Sequence, residues 1–160
     1  MPSMSVRLAH LDDLPMLLAV DHLATKPGTG RQAFISRAVA ENSCWIVSLD
    51  DTVVGYGVLG YTFYSHGFIS MVYVEAGFRR RGAGTALLQG LERACQTPKL
   101  FTSTNMSNLP MQALLARQGY ALSGVIHNLD EADLELVYFK RVRKGTGQLS
   151  AAEATDRSSV

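Results

Sequence analysis

The sequence predicts a single α+β domain built on one mostly antiparallel sheet. Strand-like runs recur along the chain, with two helical segments near its start and two more in its second half. The chain has 160 residues, of which 47% are hydrophobic, and this suits one core rather than two domains. We therefore expect a domain over residues 1–144 and a disordered tail over residues 145–160, where Gly, Ser, Thr and Ala dominate without apolar periodicity.

The first half of the chain predicts, in order, a strand, two short helices and three strands. Apolar residues at helical spacing indicate the helices, and runs of β-branched and aromatic residues indicate the strands. The expected elements are a strand Val6–Ala9, a helix from Asp12 to about His22, a helix Gln32–Ala40, and strands Cys44–Leu49, Val53–Tyr61 and Phe68–Val74. Asp50 and Asp51 are expected to form the hairpin turn between the first two of those three strands.

The second half predicts a helix, a strand, another helix and two final strands. Alanine and leucine recur at helical spacing after Gly82, and Thr97-Pro98 closes that helix. The remaining expected elements are a strand Lys99–Thr104, a helix from Asn108 to Gly119, and strands Ala121–His127 and Leu134–Val142 around a polar turn at 128–133.

The segment Val74–Leu88 leads from a strand into a helix through three consecutive arginines and two closely spaced glycines, Gly82 and Gly84. Peptide N–H groups at a helix start have no intrahelical partner and lie at the positive end of the helix dipole. Glycine lets a ligand approach the backbone closely. The segment therefore predicts a phosphate-binding turn.

Two common phosphate motifs do not fit this segment. Ala83 and Gly84 stand where a P-loop needs lysine and a hydroxyl, and Leu87 stands at the third glycine position of the dinucleotide fingerprint. The pattern that remains, Arg79-x-x-Gly82-x-Gly84, resembles the acetyl-CoA pyrophosphate loop of the GNAT-type N-acetyltransferases.

A second motif supports this resemblance. Members of that family commonly carry an asparagine, a short helix and a terminal Gly-Tyr or Gly-Phe, here Asn108 and Gly119-Tyr120. Asn108 or Ser107 can cap this helix, and glycine supplies its left-handed end. Over about residues 4–143 the chain is identified as similar to the GNAT superfamily, which implies a central mixed sheet with splayed middle strands, about four flanking helices and acetyl-CoA as cosubstrate.

The resemblance also implies which residues hold the cosubstrate. Those assigned to it are Val72, Tyr73, Val74, Arg79, Arg80, Arg81, Gly82, Ala83, Gly84, Thr85 and Asn108. The pantetheine arm is expected in a wedge between Tyr73 and Thr102, and the N–H of Val72 is expected to face the thioester oxygen as the oxyanion donor. Asn108 is assigned either to the pantetheine arm or to a plain N-cap, and both readings stay open.

The groups that move protons are harder to assign. The family positions for a general base fall on Phe68 and Ser70, of which Ser70 could hold a relaying water, and His66 lies just upstream with a suitable intrinsic pKa. The tyrosine that protonates the departing thiolate in many relatives is replaced by Leu115. The candidate catalytic residues are therefore Ser70, His66 and the backbone of Val72.

Composition narrows the functional classes. The net charge of +1 gives no broad reason to expect nucleic acid or a membrane as partner, and the two cysteines and four histidines lack metal-ligand spacing. With no apolar membrane span or signal core, we expect a cytoplasmic protein without a metal. The expected acceptor is a small-molecule amine or a protein or peptide amine, flanked by loops 21–30 and 128–133, and a homodimer is possible.

Two other classes remain as alternatives. A non-catalytic acyl-CoA-binding or regulatory module is compatible with the missing tyrosine and the missing strand carboxylate. A nucleic-acid-binding protein would use Arg79–Arg81 and the basic residues from Lys140 to Lys144, but the balanced total charge of the chain argues against this class.

Overall fold

The computed structural model describes residues 2–143. Within that range seven strands and four α-helices follow one another in the predicted order. The strands are β1 Met4–Leu8, β2 Cys44–Leu49, β3 Thr52–Phe63, β4 His66–Val74, β5 Lys99–Asn105, β6 Ala121–Asp130 and β7 Asp133–Arg141. The helices are α1 Leu14–Val20, α2 Arg31–Ala40, α3 Ala83–Ala94 and α4 Leu109–Arg117. The expected tail lies outside the described residues, so the domain boundary at 144 stays a prediction.

All seven strands form one sheet in the order β1-β2-β3-β4-β5-β7-β6. Every neighbouring pair is antiparallel except β4 and β5, which run parallel. Parallel neighbours need a crossover connection, and the segment containing α3 provides it. The structure confirms the α+β class and the mostly antiparallel mixed sheet.

Two apolar clusters form the core, one on each face of the sheet. Val47 and Val54 belong to the cluster beneath α3 and α4, whereas their chain neighbours Ile46 and Val53 belong to the cluster beneath α1 and α2. Successive strand residues point to opposite faces, so the two clusters lie on opposite sides of the sheet. We call these sides the α3 face and the α1 face.

The β2–β3 and β6–β7 hairpins both lie where the sequence predicts them, but the turn of the second is shorter than predicted. Asp50 and Asp51 both have positive φ, 47° and 63°, which is the geometry of a two-residue hairpin turn and confirms the prediction there. The turn expected at 128–133 is shorter, because Asp130 pairs with Asp133 and extends the β6–β7 hairpin. Polar residues in this stretch suggested a loop, yet an edge hairpin can expose them to water on both faces.

Candidate functional site

The parallel strands β4 and β5 pair over only three residues each. Their register runs from Gly67 opposite Leu100 to Ile69 opposite Thr102. Beyond that point β4 continues to Val74 without a partner on this side, so a gap opens between the two middle strands. The splayed strands expected from the sequence are therefore present. The wedge was expected between Tyr73 and Thr102, but Thr102 is itself paired, so the gap begins just beyond it.

Ser70 lies at the beginning of this gap. Val58 of β3 pairs with Met71 while the next residue, Leu59, pairs with Ile69, so Ser70 is the extra residue of a β-bulge. Its side chain is exposed. The bulge also shifts the alternation of side chains, so that the residues after it, Met71 and Val72, present different faces from those a regular strand would give them.

The peptide groups of β4 that face the gap can be identified from the ladder. The N–H of Glu75 bonds to the carbonyl of Val54, which lies opposite it on β3. Bonded and unbonded pairs alternate along an antiparallel ladder, so Val74 and Val72 turn their N–H and C=O groups away from β3 and toward the gap. The carbonyl of Val74 accepts a hydrogen bond from Nε of Arg79 at 2.9 Å, in agreement with this geometry.

The glycine turn forms the N-terminus of α3. Gly82 is the N-cap, with φ of +89°, and its carbonyl accepts the N–H of Ala86. The N–H groups of the first helical turn, Ala83 to Thr85, therefore have no partner within the helix. Arg80 also has a positive φ, 61°, which is strained for a residue with a side chain. This is the anion-binding geometry expected from the sequence.

A cleft of about 440 Å³ joins the gap to this helix start. Its lining includes nine of the eleven residues assigned to cofactor binding, and Arg81 and Ala83 are the two that do not line it. Arg81 stacks over the ring of Phe78 at 5.5 Å, and the side chain of Ala83 is buried beneath the helix. The cleft also contains Pro110, Met111, Leu114 and Arg117 of α4. These four residues were not among those assigned to cofactor binding from the sequence.

The cleft is electropositive. Arg79, Arg80 and Arg117 line it, and no carboxylate does among the described residues. Together with the positive end of α3, these guanidinium groups suit a ligand that carries several phosphate charges.

Asn108 immediately precedes α4, and Leu115 lies within that helix. The Asn108 side chain accepts a hydrogen bond from the N–H of Met111 at 3.2 Å, so it is an N-cap, and it also lines the cleft. Leu115 is fully buried in the core beneath α3. A leucine packed there has no proton to donate.

The structure does not bring His66 to the cleft. His66 begins β4, pairs with Phe63 in the β3–β4 hairpin and lies beside the ring of Phe101 at 5.5 Å. Val72 is six residues further along the strand, which at 3.3 Å per residue corresponds to about 20 Å. His66 therefore lies at the opposite end of β4 from the peptide groups that face the gap.

Sequence reasoning missed a polar cluster on the α1 face of the sheet. Asp21, with no exposed surface, accepts hydrogen bonds from the Tyr56 hydroxyl at 2.6 Å and from Arg31 at 2.9 Å. Burial, followed by the bond to Asp21, raises the pKa of Tyr56 well above its usual value. Next to this cluster, Nδ1 of His22 lies 2.9 Å from the hydroxyl of Tyr73, another cleft residue. These residues are far apart in sequence, so no local motif links them.

Residues 2–143 contain no group of three or more His, Cys, Asp or Glu side chains arranged to hold a metal ion. None of their helices has the length and apolar character needed to cross a membrane.

Comparison with known proteins identifies the family to which this chain belongs. Fold and cleft together define the N-acetyltransferase architecture, and the model of the acetyltransferase (GNAT) family matches residues 12–120. An acetyltransferase of the GNAT family from Bacillus cereus ATCC 10987 is 30% identical, with a TM-score of 0.82 over 89% of this chain and 99% of that one. The chain belongs to the acetyltransferase (GNAT) family.

Two more distant structures share the fold. The ribosomal-protein-S18-alanine N-acetyltransferase of Escherichia coli is 15% identical, with a TM-score of 0.74 over 92% of this chain and 99% of that one. The putative acetyltransferase yncA of Salmonella typhimurium, solved with its cofactor acetyl-CoA, is 13% identical, with a TM-score of 0.71 over the same shares. No curated protein matched the chain significantly.

Proposed function

We propose that this protein transfers an acetyl group from acetyl-CoA to an amine by direct attack on the thioester through a tetrahedral intermediate. The observation that carries the proposal is the single cleft in which the free N–H groups at the start of α3 and three arginines meet the unpaired peptide groups of β4. One part of this cleft suits a diphosphate and the other suits an extended amide chain ending in a carbonyl.

In this proposal the diphosphate binds the N–H groups of Ala83, Gly84 and Thr85, with Arg79 and Arg80 adding charge. The pantetheine arm extends β4 in the gap, where Val74 and Asn108 offer polar groups. The N–H of Val72 faces the thioester oxygen and stabilises the oxyanion, a contribution of about 3 kcal/mol for one such donor. Arg81 is assigned to the surrounding positive field, since its side chain lies on Phe78.

The departing thiolate takes its proton from water, because Leu115 cannot provide one. The cost is modest, since a thiol of pKa about 8.5 is a fair leaving group near neutral pH. Ser70, exposed at the bulge, is placed to hold a water beside the gap. His66 has no role in this proposal.

The acceptor is a small-molecule amine or the amine of a protein or peptide. The second possibility is supported by the E. coli relative, whose name gives an alanine of ribosomal protein S18 as its acceptor. A homodimer through the edge strand β6 is part of the proposal, because its large apolar side chains are exposed; these are Leu122, Val125, Ile126 and Leu129. Sedimentation equilibrium tests it, and a monomer at high concentration contradicts it.

The cosubstrate is tested by thermal melting and calorimetry with acetyl-CoA. Gly84→Leu should abolish binding, because a Cβ at Gly84 already lies 3.1 Å from Leu114 and a longer side chain closes the cleft. Gln89→Leu, on the exposed side of the same helix, is the matched control and should bind normally. Absence of stabilisation by acetyl-CoA at hundreds of micromolar contradicts the proposal.

Catalysis is tested by CoA release with a broad panel of amines. Release that depends on the amine supports the transferase. Binding of acetyl-CoA without release across the panel would instead support a non-catalytic acyl-CoA-binding module. This alternative is favoured by the buried Leu115 and by the lack of a carboxylate among the cleft-lining residues that the structure describes.

A further inference from the structure

Tyr73 connects the cleft to the α1 face of the sheet. Val72 and Val74 pack against the core on the α3 face, whereas Tyr73 packs against the core beneath α1 and α2. Tyr73 nevertheless lines the cleft. A cosubstrate with its diphosphate at the start of α3 would extend through the gap, and its acyl end would emerge beside Tyr73.

Among residues 2–143, the hydroxyl of Tyr73 is hydrogen-bonded to the imidazole of His22. Nδ1 of His22 lies 2.9 Å from this oxygen, and the two ring centroids are 6.1 Å apart. When His22 is neutral with its proton on Nε2, Nδ1 accepts the phenol hydrogen. His22 itself is exposed, so its outer nitrogen can exchange protons with water.

The segment that carries His22 is held in place by its buried neighbour Asp21. Oδ1 of Asp21 accepts the N–H of Leu23 at 2.9 Å, and Oδ2 accepts from Tyr56 and Arg31. The peptide on each side of His22 is thereby tied to β3 and α2. A surface histidine on an unanchored loop would not keep one rotamer against Tyr73.

The other titratable and charged groups around this pair neutralise one another. They are Asp21 from the same loop, Arg31 from α2 and Tyr56 from β3, whose ring lies 5.7 Å from that of Tyr73. Asp21 and Arg31 form an ion pair, and Tyr56 donates to the same carboxylate oxygen. His22 is the remaining member of the set, and imidazole is the side chain suited to exchange a proton between about pH 5 and 8.

We propose that Tyr73 and His22 form a proton relay that takes the proton from the acceptor amine, an inference that rests on the proposed function. None of the described residues that line the cleft is a carboxylate that could perform this task. The phenol oxygen of Tyr73 accepts a proton from the amine as its own proton passes to Nδ1 of His22. Tyr73 is the catalytic residue of the pair, and His22 acts through it.

The ammonium form of the acceptor loses one proton through the relay to water. The neutral nitrogen then attacks the thioester carbon, forming a C–N bond while the C–S bond breaks. The nitrogen loses a second proton by the same route, and the thiolate takes one from solvent. The net products are the acetamide, CoA thiol and one released proton.

The experiment compares wild type with Tyr73→Phe, His22→Gln and the double variant. His10→Gln, another exposed histidine, is the matched control. For each protein we would measure the acetyl-CoA Kd by calorimetry and kcat/KM against pH with the best amine of the panel. A fifth variant, His22→Ala, is assayed with and without added imidazole.

Each relay variant should lose about 100-fold in kcat, the scale of general base catalysis. The double variant should be no slower than the slower single variant, because both residues serve one step. The pH dependence of kcat/KM should differ between wild type and His22→Gln, because glutamine cannot take up the relayed proton. Imidazole should partly restore His22→Ala, and the Kd should change less than about twofold in the His22 variants.

Failure of the inference and failure of the proposed function look different. If wild type releases CoA with an amine and His22→Gln keeps its rate and its pH profile, the relay is overturned while the transferase stands. Additive losses in the double variant overturn the relay in the same way. If wild type binds acetyl-CoA but no amine releases CoA, the proposed function fails and the relay fails with it.

Discussion

The Thr102 hydroxyl donates a 2.9 Å hydrogen bond to the carbonyl of Ile69, and these two residues are also the last register partners of the parallel strands β4 and β5. Thr102 is only 1% exposed. A buried bond at this position ties the strands together immediately before they part. We infer that it helps to fix where the cleft begins.

Thr102→Val keeps the shape of the side chain and removes this bond. The free energy of unfolding should fall by about 1 to 2 kcal/mol, because the Ile69 carbonyl loses a buried partner. Acetyl-CoA affinity should fall as well, because the point at which β4 and β5 separate can shift. Thr102→Ser keeps the hydroxyl and should retain affinity despite losing a methyl group. Equal affinities for the two variants, measured by calorimetry, would contradict this role.

Gly82→Ala should weaken acetyl-CoA binding and destabilise the fold by about 1 kcal/mol, because alanine is strained at a φ of +89°. A Cβ there meets no atom within 4 Å, so the cost is conformational and not steric. Gly77→Ala, which also meets nothing and has no positive φ, is the control. Urea unfolding and calorimetry on both variants make the comparison, and a Gly82→Ala protein indistinguishable from Gly77→Ala would refute the argument.

Asp21→Ala should lower the free energy of unfolding by about 3 kcal/mol, because it leaves Arg31 unpaired and the Tyr56 hydroxyl without its acceptor. The loss should lie at the low end for buried pairs, since Arg31 keeps 21% of its side chain exposed. Asp21→Asn retains an oxygen for Tyr56 and should cost less. Chemical denaturation measures both, with Asp12→Ala as an exposed control. A loss below about 1 kcal/mol for Asp21→Ala would be inconsistent with this network.

Asp13 contributes to stability in a defined pH range. Its hydrogen bonds from Arg7, at 2.8 Å, and from the N–H of His10 lower its pKa from 3.8 to about 2. Because the folded-state pKa is the lower one, this contribution is complete above about pH 4 and is lost as the pH falls toward 2. Asp13→Asn should cost up to about 1 kcal/mol at pH 7, given the solvent-exposed arginine. The difference between wild type and variant should shrink below pH 4 in denaturation curves, and a constant difference would argue against the ion pair.

Much of the fold could be predicted from the sequence, because local signals for it are strong. The bounds of Cys44–Leu49 are predicted to the residue, since a β-branched run ends at a two-residue turn. The α3 start follows from Gly82, whose left-handed conformation ends the preceding turn. The predicted β6–β7 hairpin was too short, because the polar end of an edge strand and a loop have similar compositions.

The glycine turn proposed to bind the diphosphate could be located from the sequence for the same reason. It is one continuous segment, and the proposed binding would depend on backbone amides that a short motif can specify. His66, by contrast, was chosen for closeness in sequence to Ser70, and an extended strand of this length carries it to the far end of β4.

The sequence by itself determined the order of the helices and strands, the glycine turn and the family. Each of these depends on short contiguous segments whose local conformational preferences match the structure they adopt. Only the tertiary structure decided where the middle strands separate and which α4 side chains enter the cleft. It also decided that His22 is hydrogen-bonded to Tyr73, and Asp21 to Tyr56, which is 35 residues away in sequence. Such contacts arise from sheet register and helix packing, and no spacing along the sequence encodes them.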